Sequence, residues 1–254
     1  MIKAVLLDLS GVLYDGAEVI PGAREAVARL QASGLKVRFV TNTSQKSRVT
    51  LLEHLRGLGF EVSDGALFTA VDAARDWLRE RGLRPYCLVH ENIAAGFDDF
   101  DQRDPDAVLI ADAAEGFTYE RLNRALELCL EGAPLVGVGY NRYYRSGGRM
   151  LLDAGAFIRA VEFAAGVEAT IVGKPAGAFF NQVLASMAVQ AADAMMVGDD
   201  VFGDVEGALK AGLGACLVRT GKYRAGDEGR ISGDFPVVDS VVEAAELAVA
   251  AASD

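Results

Sequence analysis

The polar side chains best placed for chemistry in this sequence follow short apolar runs. Val5-Leu6-Leu7 leads to Asp8, Val37 to Val40 leads to Thr41 and Asn42, and Thr170-Ile171-Val172 leads to Gly173-Lys174-Pro175. Met195-Met196-Val197 leads to Gly198-Asp199-Asp200, with Asp204 one helical turn later. Such runs read as strands buried on both faces of a parallel sheet. In open α/β sheets ligands bind outside the carboxyl ends of the strands. A carboxylate at such a place can attack phosphorus and leave an acyl phosphate that water then opens. A lysine and a hydroxyl beside it can neutralise and hydrogen-bond the oxygens of the transferred group. Taken singly, each residue has an ordinary reading: aspartate ends many strands, threonine caps helices and lysine lies on surfaces. Their recurrence in order at four strand ends is what points to one site.

The elements that must position them alternate. After the first strand, Ala23, Ala26, Val27 and Leu30 recur at helical spacing between Pro21-Gly22 and Gly34. Leu51, Leu52, Leu55 and Leu58 form one face of a helix that Ser44 or Ser47 caps and Gly59 ends, and another helix spans about 70–80. The pattern then restarts: strands at 86–89, 107–110 and 135–138, with helices at about 119–130 and 155–165. The run at 170 returns the lysine to the first sheet. Helices at about 178–187 and 205–211, an edge strand at 216–218 and a final helix at 240–252 complete the chain. The alternation predicts an α/β fold, with a doubly wound parallel-sheet core at 1–78 plus 170–254 and an inserted α/β unit at 79–169.

A chain of 254 residues with 51% hydrophobic and 24% charged residues is long enough for a substantial core and belongs to the globular class. Its net charge of -11 argues against general binding to nucleic acid or to anionic membrane. No apolar run approaches the length of a membrane span, and the N-terminus lacks the features of a secretory signal, so the expected location is cytoplasmic. Cys87, Cys129 and Cys216 are widely spaced in apolar surroundings and read as buried free thiols. Gly137-Val138-Gly139 lacks the third glycine of a dinucleotide fingerprint. The acidic stretch Asp98-Asp99-Phe100-Asp101 with Asp104 reads as a solvated loop, and Trp77 as a core or domain-junction anchor.

In order and chemistry the four motifs resemble the haloacid dehalogenase-like hydrolases. The long insert between Thr41 and Lys174 resembles the type IIA, NagD-like arrangement with an α/β type C2 cap. Asp8-Leu9-Ser10 and Thr220-Gly221-Lys222-Tyr223-Arg224 resemble the group of phospholysine phosphohistidine inorganic pyrophosphate phosphatases and related hydrolase-domain proteins. The resemblance implies a Rossmann-like core, a Mg²⁺-dependent phosphatase activity and a phospho-aspartyl intermediate on Asp8. It implies catalytic roles for Asp8, Thr41 and Lys174, and substrate contacts from Asp8, Leu9, Ser10, Thr41, Asn42 and Lys174. Mg²⁺ would be held by Asp8, the backbone carbonyl of Ser10 and Asp199, with Asp200 and Asp204 supporting from outside. The implied partner is a small phosphorylated substrate or pyrophosphate, and a homodimer follows from the resemblance alone. Dehalogenation would have no use for the cluster at 199–204.

Ser10 departs from the family pattern. Most phosphatases of the superfamily carry there a second aspartate that protonates the leaving group and later activates water. A serine hydroxyl is too weak an acid and base at neutral pH for either task. The expected substrates therefore have leaving groups that are already stable: phosphoramidates, pyrophosphate or aryl phosphates. The same departure keeps a second reading open, a catalytically weak phosphate-binding or interaction module. Asp15 reads either as a replacement carboxylate or as a turn-stabilising residue. Tyr140 to Arg145, followed by Gly147-Gly148, reads either as a contact for the substrate body or as a cap surface or dimer contact. His54 and His90 are read as non-catalytic.

Overall fold

The computed structural model describes residues 1–146 and 149–253 and divides into two compact units. The first unit comprises Met1–Thr41, Val49–Phe68 and Lys174–Asp254, and the second Asn42–Arg48 and Thr69–Gly173.

In the first unit Ala4–Asp8, buried at every residue, lies inside a six-stranded sheet. The strand order is Val237–Val238, Gly214–Val218, Ala194–Gly198, Ala4–Asp8, Lys36–Thr41, Leu67–Thr69. The pairings from Val237–Val238 through Lys36–Thr41 are parallel. Val5 and Leu7 share one core with Val27 and Leu30 of the helix Ala23–Ala32 and with Ala244, Ala245 and Ala248 of the helix Val241–Ser253. Leu6, on the alternate face, is equally buried, as a strand covered on both sides requires. Register delivers the functional groups to one edge. Leu7 pairs with Val197 and Asp8 with Val40, so Asp8 ends its strand level with Gly198 and just short of Thr41 and Asp199. The chain runs from the Ala4 strand to one neighbour, Lys36–Thr41, and much later to the other, Ala194–Gly198. That is the switch in strand order where α/β sheets open a crevice.

Three expectations change here. Gly214–Val218 is flanked on both sides, and the edge belongs to Val237–Val238, two residues too short to show a strand period. Thr170–Ile171 pairs with Leu135–Gly137 in the second unit's sheet, so Lys174 enters the first unit from the loop after that strand. Val201–Glu206 winds as a π-helix before Gly207–Lys210 continues as α-helix. The Asp200 side chain accepts from the N–H groups of Phe202 and Gly203, and this cap starts the wide turn that carries Asp204.

The second unit holds a four-stranded parallel sheet, Thr170–Ile171, Leu135–Gly137, Ala107–Ile110, Pro85–Leu88. Its core joins Leu88, Val108, Ile110 and Leu135 to Ala125 and Leu128 of Tyr119–Leu130 and to Ile158 and Val161 of Ala154–Ala165. Thr69 and Asp72 close a capping box on Ala70–Arg81. The Ser44 hydroxyl accepts from the Asp112 N–H, and Ser44 is therefore engaged inside this unit. Trp77 is half-buried beneath the Arg81 guanidinium, 4.2 Å from its ring centre. In the acidic loop Asp99 is paired with Arg75 and Arg79, and Asp104 with Arg84. Cys129 and Cys216 are buried, Cys87 is half-buried, and all three are free thiols. Among the described residues, no helix is long and apolar enough to cross a membrane.

Gly207 links fold to site. A Cβ there would come within 2.8 Å of Pro175, the residue after Lys174. Gly207→Ala is expected to lower stability by about 1–3 kcal/mol through overpacking, read from the midpoint of urea unfolding. An unchanged midpoint would show that the Lys174-Pro175 segment yields freely.

Candidate functional site

Lys174 is the centre of the arrangement. Only 5% exposed, it donates from its ammonium to Asp8 Oδ1 and Asp204 Oδ1, each at 2.6 Å. Asp204 Oδ2 accepts from the Asp200 N–H at 3.2 Å. One carboxylate oxygen each from Asp8, Asp199 and Asp204 lies within 4.8 Å of the other two. Two of these buried carboxylates thus share one buried ammonium, and the third lies beside them.

Asp199 is held by different means. Its Oδ2 accepts from the Lys222 N–H at 2.7 Å, while its Oδ1 is buried without a hydrogen-bond partner among the described residues. Gly11 and Gly221, at φ +87 and +61, flank this carboxylate so closely that a Cβ on either would stand 2.0 or 2.1 Å from Oδ2. Both the positive φ and the contact require glycine. The Thr220 hydroxyl donates to the Gly11 carbonyl and ties the two loops together.

These surroundings move the titrations apart. Burial, followed by the charges of Asp8 and Asp204, pushes Asp199 up to about 8. Burial raises Asp204 to about 6, with Lys174 opposing it and Asp8 adding to it. Burial works against the Lys174 ammonium, but the charges of Asp204 and Asp8 outweigh it and raise the group. Asp200 is lowered, because Lys222 and the N–H groups of Gly203 and Phe202 overcome its burial. Without a cation the cluster therefore retains protons that isolated carboxylates would have lost. An all-oxygen donor set with an unpartnered buried oxygen fits a hard divalent cation such as Mg²⁺.

The first unit therefore brings together Asp8, Lys174, Asp199, Asp200 and Asp204, with buried Thr41 beside Asp8 in the sheet. Leu9 turns its side chain into the core, and Ser10 is exposed, bridged to Tyr14. Asn42 falls in the second unit, where Cβ atoms built on Gly139 and Gly173 would meet its side-chain amide. Asp15 is exposed in a two-residue hairpin opposite Glu18. Tyr14 packs edge-on against His54 at 4.9 Å, and burial followed by the Asp8 charge pushes its phenol up to about 12. His90 instead caps a short helix, accepting from the Asn92 N–H. The Tyr140 hydroxyl donates to Glu162, whereas the side chains of Tyr144 and Arg145, and Gly147-Gly148, lie outside the described residues. The clamp formed by Gly11, Thr220, Gly221 and Lys222 escaped the sequence reading as a functional unit. Its signal was available, since this loop also follows a strand end, at Val218.

The raised Asp199 pKa sets a direction for stability. From its ordinary 3.8 to about 8, the folded metal-free protein holds a proton that the unfolded chain has released. Stability contributed by this group is therefore lost as pH rises through that interval. In chelator, the melting temperature is expected to fall toward alkaline pH, and Asp199→Asn is expected to make the fall shallower. An identical slope in the variant would exclude Asp199 as its source.

Comparison with known proteins agrees with this geometry. A profile described as haloacid dehalogenase-like hydrolase matches residues 5–102, and a second of the same kind matches 171–244. The chain is 47% identical to the phospholysine phosphohistidine inorganic pyrophosphate phosphatase of Rattus norvegicus, covering 97% of this chain and 94% of the relative. It is 43% identical to haloacid dehalogenase-like hydrolase domain-containing protein 2 of Bos taurus, covering 91% and 89%. Among solved structures, the 4-nitrophenylphosphatase of Thermotoga maritima superposes with a TM-score of 0.89 at 26% identity, over 96% of this chain and 97% of that one. The NagD protein of E. coli K-12 shares the fold, with a TM-score of 0.83 at 24% identity over 95% and 98% of the two chains. The chain belongs to the haloacid dehalogenase-like hydrolases and groups with their phosphatases.

Proposed function

We propose that the chain is a Mg²⁺-dependent phosphatase that transfers a phosphoryl group to Asp8 and then to water. The observation that carries this reading is the Lys174 ammonium bound to both Asp8 and Asp204, with Asp199 Oδ1 left without a donor beside them. Asp8, Asp199 and the Ser10 carbonyl would hold the cation, which would neutralise charge on the phosphoryl oxygens and on the carboxylates around it. Asp8 attacks phosphorus, the bond to the leaving group breaks, and the acyl phosphate formed is opened by water. Lys174 orients Asp8, and its charge neutralises the oxygens of the transferred group. Thr41 and the backbone at Asn42 donate to the same group. Asp200 holds Asp204 through its backbone N–H, and Asp204 holds Lys174. The second unit serves as the cap and governs substrate choice.

Substrate class follows from what surrounds Asp8. Ser10 cannot act as a general acid, and the phenol of Tyr14, pushed up to about 12, is no better. Substrates whose leaving groups need no proton from the enzyme are therefore favoured: phosphoramidates already protonated on nitrogen, pyrophosphate and aryl phosphates. The rat relative's name combines two phosphoramidates with pyrophosphate, which supports the same class.

Asp8→Asn is expected to reduce turnover of p-nitrophenyl phosphate by at least about 10³-fold, with the circular dichroism spectrum retained. Turnover surviving that substitution would remove the phospho-aspartyl route. Across a series of aryl phosphates, kcat/KM is expected to fall steeply as the pKa of the leaving phenol rises. A flat series would mean that another group donates the proton.

A further inference from the structure

Two lysines reach the acidic cluster of the first unit, and they are held in opposite ways. Lys174 is enclosed, with its ammonium bound to Asp8 and Asp204. Lys222 serves the cluster through its backbone, whose N–H fixes Asp199 Oδ2. Its side chain is 61% exposed, and its ammonium stands 3.5 Å from Asp200 Oδ2. An exposed ion pair of this kind is weak and exchanges readily for another anion. The base of the arm is rigid, since Gly221 has no room for a side chain against Asp199 and Gly11, and Thr220 is tied to the Gly11 carbonyl. A cation held only by one exposed ion pair, on a four-carbon stem, is thus anchored at the edge of the carboxylates that surround Asp8.

We propose that Lys222 is a substrate-selecting residue, whose ammonium leaves Asp200 to pair with an anionic leaving group such as the second phosphoryl group of pyrophosphate. This deepens the phosphatase reading above and rests on it. In the step concerned, an Asp8 oxygen bonds to phosphorus and the bridging P–O bond breaks. Its electron pair departs on inorganic phosphate, and Lys222 keeps its proton. The lysine supplies charge at the departing side, where Ser10 supplies no acid. Lys174 stays with the nucleophile throughout. A leaving group without charge in the bound substrate, such as a nitrophenyl ring, gains less from the arm.

Binding separates this role from a merely structural one. Calorimetry of inorganic phosphate and pyrophosphate with Asp8→Asn protein, alone and combined with Lys222→Met or Lys222→Arg, is measured at fixed Mg²⁺. Methionine is expected to weaken pyrophosphate about tenfold more than phosphate, and arginine to restore most of the difference. With Asp8 intact, Lys222→Met is expected to raise KM for pyrophosphate and to lower its kcat/KM relative to that of p-nitrophenyl phosphate. Equal weakening of both ligands, or no weakening, would overturn the proposal and leave Lys222 as a counter-ion of Asp200. If the unsubstituted protein turned over neither substrate, the phosphatase reading would fall, and the two affinities would still decide the role of Lys222.

Discussion

The structure depends on the concentration of buried negative charge that a single ammonium must balance. Asp8, Asp199 and Asp204 are all nearly inaccessible, and among the described residues only Lys174 enters among them as a buried cation. Taking one charge out of water costs several kcal/mol, and an unpaired buried charge is worse than a paired one. The cluster meets this cost with two short ion pairs, with N–H donors to Asp200, Asp204 and Asp199, and with a raised hold on the proton at Asp199. A divalent cation would meet it more completely. The placement of the strand ends, the wide turn at Val201–Glu206 and the glycine clamp at Gly11 and Gly221 all serve to keep these charges within reach of one another.

Much of this was legible in the sequence because parallel sheets leave a strong trace. A buried central strand such as Ala4–Asp8 must be apolar on both faces, so the first polar residue after it marks the open edge. Three such edges of the first sheet gave Asp8, Thr41 and Asp199 without any contact being known, and Lys174 came from the end of a strand in the second unit's sheet. The restart of the alternation after Arg81 was read as an inserted unit at 79–169, whereas the second compact unit comprises Asn42–Arg48 and Thr69–Gly173. The Thr170 strand was assigned to the first sheet because a run of three residues carries no information about which sheet it joins. The π-turn was invisible because its cause is a side-chain cap, Asp200 on Phe202 and Gly203, and an apolar period records only which residues face the core. The Asp199 clamp was missed for a related reason, since Lys222 acts there through its backbone N–H, which every residue except proline possesses.

Ser10 gives the site its chemical character. It sits exposed two residues from the nucleophile, where a carboxyl group would have offered a proton to the leaving group. Its neighbour Tyr14 is buried against His54 and faces the Asp8 charge, conditions that tighten its hold on its own proton. A site with a well-held nucleophile and a weak departing side should discriminate among substrates by the stability of what leaves. In the proposed reaction this would separate bond making, assigned to Asp8 and Lys174, from bond breaking, left to the substrate and to charges at the rim such as Lys222.

Crystals grown with Mn²⁺ in place of Mg²⁺ would test the gathering of charge most directly, because anomalous scattering locates the ion independently of any assumed ligand. The expected result is a single strong peak bonded to carboxylate oxygens of Asp8 and Asp199, with Lys174 still paired to Asp8. A peak confined to exposed carboxylates, or none near Asp199 Oδ1 at saturating Mn²⁺, would contradict it.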